Sequence, residues 1–397
     1  MMTTPRTLPV ARRIAELPNY PFVAISQRIQ ELKAQGIHVT RMDMGSPDLP
    51  PPPIVIETML QAVQRSDMHG YSNYRGTPAF RKAVARYYKR RFDVELDPDT
   101  EVLPLLGSKE GIVNLMLALV GEGDVVLVPS LSYPAYASGA HLAQAEVVTL
   151  PMRPENGFLP VLEDIPQQAR QKARLLWLNF PNNPTSAFCS LDYYADAVAF
   201  CQAHNILLAS DNAYMEVVFD GEGPAPSVLQ VPNAKSTAVE FMTLSKSFNM
   251  AGWRLGAMVG NAEAVSALLT VKSNMDSGHF LPTYEAGIVA LDQTSDEWIR
   301  ERNARYAARR DRIVEVAPTI GLEISEPPRG ALYVWAKVVG MNDEEYALRA
   351  LNEAHVSVAY GSMYGEDGRG YIRMSLGVAD DELEDALERL YKTFGIR

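Results

Sequence analysis

Cysteine is scarce in this chain: only Cys189 and Cys201 occur among 397 residues. Two thiols cannot staple a small secreted scaffold, so a disulfide framework is excluded and a reducing cytoplasm is the expected compartment. Basic charge is also short, since 37 Lys plus Arg stand against 48 Asp plus Glu, a formal charge of −11. Such a field repels phosphate backbones and anionic lipid, which argues against nucleic acid or a membrane surface as partner. Long apolar runs are missing too. The charge-free stretch from Val125 to Ala145 is broken by Pro129, Pro134 and His141, so it does not read as a membrane span. The segment Met1 to Pro18 carries Arg6, Arg12 and Arg13 without the apolar core of a signal peptide. Neither Gly-Lys-Ser/Thr of a Walker loop nor Gly-x-Gly-x-x-Gly of a dinucleotide loop is present.

What remains is ordinary globular composition, 47% hydrophobic and 21% charged. Disorder and fibrous folds are thereby excluded, and at about 150 residues per domain the length suggests two or three domains. There is no internal repeat and no low-complexity tract. Pro50 to Pro53 form a short stiff spacer, preceded by an amphipathic helical pattern over Ser26 to Gln35 with Ile25, Ile29 and Leu32 on one face. Beyond it, Val125 to Val128, Leu175 to Leu178, Ile206 to Ala209 and Val239 to Leu244 read as buried strands, with a helix over Asp192 to His204. Near-continuous apolar strands alternating with helices predict an α/β fold whose mostly parallel sheet is covered on both faces. The last hundred residues differ. A long charged helix over Glu297 to Val316, a strand over Ala331 to Val338, and helices over Asp343 to Ala354 and Asp380 to Phe394 predict a smaller α+β domain. The expected division is an N-terminal arm and part of the small domain at 1–46, a large domain at 47–288, and the small C-terminal domain at 289–397.

Open parallel sheets bind ligands beyond the carboxyl ends of their strands, so the polar residues that stop each apolar run are the candidates. Gly107-Ser108-Lys109 follows Val102 to Leu106 and precedes a helix expected near Ile112. It suits either a phosphate at free amide groups or a plain N-cap by Ser108. Lys246, in Thr243-Leu244-Ser245-Lys246-Ser247-Phe248-Asn249-Met250-Ala251-Gly252-Trp253-Arg254, reads as a partly desolvated nucleophile or as a surface lysine whose stem packs on apolar neighbours. Asp211, with Tyr214 three residues on, needs a cationic or N–H partner if dry, or serves as a turn or cap. Tyr133 follows a strand in the same way. Phe180-Pro181-Asn182-Asn183-Pro184-Thr185 is a rigid turn able to present Asn183. Arg373 shares a strand face with Tyr371 and Ser375, suited to bidentate carboxylate capture or to a half-exposed ion pair.

Taken in order, Ser-Lys-Ser-Phe-Asn-Met-Ala-Gly-Trp-Arg, Asn-Asn-Pro-Thr, Asp-Asn-Ala-Tyr and the Arg373 strand resemble the class I/II, fold-type I aminotransferases that use pyridoxal 5′-phosphate (PLP), over nearly the whole chain. The resemblance implies that Lys246 bonds the cofactor and moves the substrate proton. Asp211 would pair with the pyridine N–H, and Tyr214 and Asn183 with the ring's phenolic oxygen, while Tyr133 stacks on the ring. Gly107, Ser108, Lys109, Thr243, Ser245 and Arg254 would form the phosphate cradle. Arg373, helped by the backbone at Gly45 and by Asn183, would take the substrate α-carboxylate. Tyr71, in Gly70-Tyr71-Ser72-Asn73-Tyr74-Arg75-Gly76, matches a tyrosine that reaches the neighbouring subunit's phosphate, so a homodimer is implied.

The reaction implied is ping-pong transamination between an L-amino acid and a 2-oxo acid, with 2-oxoglutarate the expected acceptor. Glu95-Leu96-Asp97-Pro98, the Gly107 segment and Val271 to Gly278 resemble the branch holding LL-diaminopimelate and alanine-type aminotransferases. No arginine lies near Asn274, where aspartate-specific relatives clamp a side-chain carboxylate. Ser46, Ser186 and Tyr360 stand where the branch has an acid, a glycine and a proline, and Ser46 and Tyr360 are expected near the substrate entrance. Alanine, aspartate or aromatic transamination are the alternatives, as is a PLP lyase, decarboxylase or oxidase on the same fold. A PLP-binding sensor in a regulator is disfavoured, because no basic DNA-binding appendage is present and Asp211, Tyr214, Lys246 and Arg373 are all retained.

Overall fold

Strand β5 (Ala173–Leu178) shows why the central runs carry no polar alternation. Leu175 and Trp177 face one core with Val126, Phe241 and Met258, while Leu176 and Leu178 face another with Phe80, Met242 and Tyr284. A strand packed by helices on both sides is apolar wherever it is covered, and only Arg174, near the start of β5, is exposed. The computed structural model describes residues 10–17, 23–221 and 223–395, so 1–9 and 18–22 of the expected N-terminal arm lie outside the described residues. After the short strand β1 (Thr40–Arg41), the strands β2 (Val102–Leu105), β3 (Val125–Pro129), β4 (Glu146–Leu150), β5, β6 (Leu207–Asp211), β7 (Ala238–Thr243) and β8 (Gly256–Gly260) form one sheet in the order β2-β8-β7-β6-β5-β3-β4. All pairs from β4 through β7 are parallel, and β8 alone runs antiparallel to its neighbours β2 and β7. The carboxyl ends of β2, β3, β5, β6 and β7 therefore share one edge.

The covering helices start and stop where local chemistry dictates. Helix Pro78–Phe92 opens with the Thr77 hydroxyl accepting from Phe80 N at 3.3 Å and a proline in its first turn. It closes with Lys89, Arg90 and Arg91 against the negative end of the dipole and with Asp93 at φ 56.

A second sheet is built from β9 (Leu322–Glu323), β10 (Tyr333–Val338), β12 (Ala359–Tyr360) and β13 (Tyr371–Ser375), all antiparallel, in the order β12-β13-β10-β9. Strand β11 (Val356–Ser357) pairs in parallel with β1, which ties the first part of the chain to this region. Tyr306, Ile313, Val334, Tyr346 and Leu387 form its core, and Ala213, Tyr214, Val217 and Phe219, just past β6, belong to the same cluster. One expectation is corrected here. The helix expected near Ile112 begins at Ser108, because Gly107 makes the turn itself with φ +77 and the helix follows at once. A boundary at 288 falls inside helix Leu281–Gln293. That helix ends at Gln293, and the Ser295 hydroxyl caps the next one, Asp296–Val316, by accepting from Trp298 N. Among the described residues no helix is long and apolar enough to cross a membrane.

One buried side chain joins this long helix to the sheet edge. Arg302 donates to the carbonyls of Lys246, Ser247 and Glu216, and burial pulls its guanidinium down to about 10. Removing it takes the donor from the Lys246 and Ser247 carbonyls, at about 1–3 kcal/mol each, while Asn303 Nδ2 still donates to the Glu216 carbonyl. Arg302→Met is expected to lower the unfolding free energy by about 3 kcal/mol or more. Denaturant unfolding of the two proteins side by side checks this, and an unchanged midpoint contradicts it.

Candidate active site

At the shared strand edge lies a cavity of about 420 Å³, within the range of small-ligand sites. Asp211 closes β6 at its floor. Its Oδ2 accepts from Tyr136 Oη at 2.7 Å, its Oδ1 is buried without a partner, and Asn179 Nδ2 holds its main-chain oxygen at 2.6 Å. Burial pushes the carboxyl up to about 6, against the pull of the tyrosine hydrogen bond. Tyr136 is fixed in turn by stacking on Trp177, with centroids 4.8 Å apart and planes 8° apart.

Lys246 stands in the single helical turn Leu244–Ser247 that follows β7. The Thr243 hydroxyl opens that turn by accepting from Ser245 N at 3.1 Å, and Arg302 anchors the Lys246 carbonyl. The ammonium donates to the Gly45 carbonyl. Burial, with Arg373 and Arg254 adding repulsion, lowers this amine to about 8. At one end of the cavity Ser108, Lys109, Thr243, Ser245 and Arg254 face the amino end of helix Ser108–Leu119. No side chain caps that helix, so the expected N-cap role of Ser108 is not what forms: Gly107 holds the cap position and Ser108 is the first helical residue. A side chain at 107 would overlap the Arg254 guanidinium. Helix-terminal amides, hydroxyls and two cations around a space that glycine at 107 keeps open suit an anion such as a phosphate.

Arg373 marks the other end. It is 3% exposed, and no carboxylate forms a salt bridge with it among the described residues, so the half-exposed ion pair does not form. Nη1 donates to Asn183 Oδ1 at 2.6 Å, Nη2 donates to the Asp43 carbonyl, and Nε is buried without a partner. The guanidinium lies 4.0 Å from the Tyr333 ring centroid and 5.0 Å from that of Tyr364. Tyr214 Oη lies 2.6 Å from Tyr333 Oη. Tyr133 and Gly45 line the cavity, with Lys109 Nζ 5.8 Å from the Tyr133 ring.

The structure thus brings together Gly45, Ser108, Lys109, Tyr133, Asn183, Asp211, Tyr214, Thr243, Ser245, Lys246, Arg254 and Arg373, with Gly107 against Arg254. Tyr71 is not brought in: it is 92% exposed and outside the lining. Ser46 lines the cavity, whereas Tyr360 does not. Tyr360 packs instead on the cluster of Ile25, Leu32, Trp335 and Leu351: it sits opposite Ile372, so it takes the face of the sheet that Arg373 does not. Sequence reasoning missed Tyr136, Tyr333, Tyr364, Arg41 and Asp43. The Tyr-x-x-Tyr spacing of 133 and 136 is visible in the sequence but did not distinguish a stacked support from core.

The buried, bare Oδ1 of Asp211 suits a protonated ring nitrogen, and the cradle suits a phosphate, so these residues fit PLP. The model of the family described as aminotransferase class I and II matches residues 37–390. The LL-diaminopimelate aminotransferase of Aquifex aeolicus is 44% identical over 95% of this chain and 97% of its own length. A second LL-diaminopimelate aminotransferase, from Trichormus variabilis, is 42% identical over 98% and 99%. Among solved structures, apo-BacF from Bacillus subtilis superposes with a TM-score of 0.93 at 34% identity, covering 98% of this chain and 100% of that one. A probable N-succinyldiaminopimelate aminotransferase from Thermus thermophilus gives a TM-score of 0.87 at 33% identity, with 94% and 100% covered. The chain belongs to the class I and II aminotransferase family. It is a PLP-dependent aminotransferase of fold type I, passing an amino group between an amino acid and a 2-oxo acid.

The lowered amine at position 246 has a direct consequence. A neutral amine is the nucleophile, so uptake of PLP by the apoprotein is expected to quicken as pH rises through about 8 and then level off. Stopped-flow absorbance across pH checks this, and a rate that falls over the same interval contradicts it.

Proposed function

We propose that the amino donor is LL-diaminopimelate and the acceptor 2-oxoglutarate. The observation that carries the donor is the identity of 40–44% to relatives named LL-diaminopimelate aminotransferase over nearly the full length of both chains. The absence of arginine near Asn274 supports a donor other than aspartate.

In this reading Arg373 and Asn183 orient the α-carboxylate, and burial of both keeps water from competing for it. Bound PLP supplies a protonated aromatic ring that withdraws the electron pair left at the substrate Cα. Asp211 keeps that ring nitrogen protonated, because its bare oxygen needs the N–H. Lys246 Nζ takes the Cα proton and returns it to the cofactor side, which requires an amine neutral near physiological pH. Tyr214 and Asn183 hold the phenolic oxygen, Tyr133 covers the ring face, and Gly107, Ser108, Lys109, Thr243, Ser245 and Arg254 hold the phosphate.

A homodimer completes the site in this proposal, with Tyr71 reaching the phosphate of the neighbouring subunit. Support comes from the exposed apolar side chains of Tyr71, Tyr74, Met275 and Phe280, more than an isolated surface needs. A large domain at 47–288 and a small domain at 289–397 belong to the same reading, and the two free, buried cysteines fit a reducing cytoplasm.

A half-reaction screen of the purified holoenzyme tests the donor. LL-diaminopimelate is expected to give the highest kcat/KM among LL-diaminopimelate, alanine, glutamate, aspartate and phenylalanine. Faster turnover of any other member overturns the assignment. Tyr71→Phe is expected to weaken PLP binding about tenfold, the worth of one charge-assisted hydrogen bond. Fluorescence titration of the apoprotein reads it, and unaltered affinity contradicts the shared site.

A further inference from the structure

Tyr333, at the start of β10, is 2% exposed and touches both ends of the site. Its hydroxyl lies 2.6 Å from that of Tyr214, with the two rings near edge-on at 76°. Its ring face lies under the Arg373 guanidinium at 4.0 Å. Strand pairing fixes that relation, since Tyr333 sits opposite Ser375 and Trp335 opposite Arg373. A side chain at Gly45 would overlap the Tyr333 hydroxyl, so the small residue beside Lys246 keeps room for it. Ser186 adds a further hold. Its backbone takes φ 60, a region that favours glycine, and its hydroxyl donates to the Tyr333 carbonyl at 2.9 Å. The serine that departs from the glycine of the resembling branch thus ties down the residue between Arg373 and Tyr214.

We propose that Tyr333 is the positioning residue that couples the carboxylate end of the site to the cofactor end. Its ring fixes the plane of Arg373, and its hydroxyl donates to Tyr214, which leaves the Tyr214 proton for an acceptor in the cavity. A phenol oxygen accepts one hydrogen bond while its own O–H donates another, and donors linked in series polarise one another. The ring holds a guanidinium that has a bare Nε and, among the described residues, no carboxylate partner, so its plane is set by Asn183, the Asp43 carbonyl and this aromatic face. The inference rests on the roles given above to Tyr214 and Arg373.

Two variants separate the two halves of the claim. Tyr333→Phe keeps the ring and removes the hydroxyl. The absorbance titration of the PLP-loaded variant is expected to move to higher pH by about 0.5–1 unit, the worth of one hydrogen bond, with the KM for the amino acid within about twofold. In a Tyr214→Phe background the same change is expected to add no shift, because the effect passes through Tyr214. Tyr333→Leu removes the ring as well, and KM is expected to rise about tenfold with unchanged circular dichroism and cofactor content. An unmoved titration in Tyr333→Phe, an equal shift in both backgrounds, or an unchanged KM in Tyr333→Leu overturns the coupling. If Tyr214→Phe alone leaves the titration unmoved, the role of Tyr214 fails, and the inference with it.

Discussion

Asp211 and Arg373 are taken out of water, and Lys246 largely so, around one edge of the sheet without forming salt bridges to one another. Each such burial costs several kcal/mol unless hydrogen bonds or an opposite charge repay it. The protein supplies part of that repayment. Tyr136 holds one oxygen of Asp211, the Gly45 carbonyl takes Lys246, and Asn183 with the Asp43 carbonyl takes Arg373. The remainder is left open: Asp211 Oδ1 and Arg373 Nε are buried with no partner. The carboxyl is raised to about 6 and the amine lowered to about 8, both toward neutrality, as desolvation demands. A ligand with an N–H at one end and a carboxylate at the other completes what the fold leaves unfinished.

That arrangement follows from the sheet. Parallel β5, β6 and β7 deliver Asn183, Asp211 and Lys246 from successive carboxyl ends, and β2 delivers the amino end of a helix to the same edge. Arg373 comes from the other sheet, on β13. The segment after Asp211 packs into the core of that second sheet through Ala213, Tyr214, Val217 and Phe219. The geometry of the site is thus set by packing between two cores, with Arg302 pinning the Lys246 turn from the long helix.

The strands and the residues that end them were legible in the sequence, because burial on both faces leaves a continuous apolar run that the first polar residue must break. Lys246, Asp211 and Asn183 announced themselves in that way. Tyr136, Tyr333 and Tyr364 did not, since an aromatic that supports a charged group reads like any core aromatic until its neighbours across the fold are known. Tyr360 misled for a related reason: its strand does join β13 beside Arg373, but Tyr360 sits opposite Ile372, and sequence proximity to the site does not say which face a strand residue takes. The start of helix Ser108–Leu119 was placed too late because one glycine at φ +77 replaces a whole capping turn. Tyr71 stays exposed in a single chain, so neither periodicity nor intrachain packing could place it.

The central claim is that the desolvated amine at position 246 is the group that carries PLP. Borohydride reduction of the PLP-loaded protein, followed by peptide mass mapping, tests it most directly. The account predicts one reduced cofactor per chain on the peptide that contains Lys246. Label on Lys109 or any other lysine instead, or on no lysine at all, would contradict it.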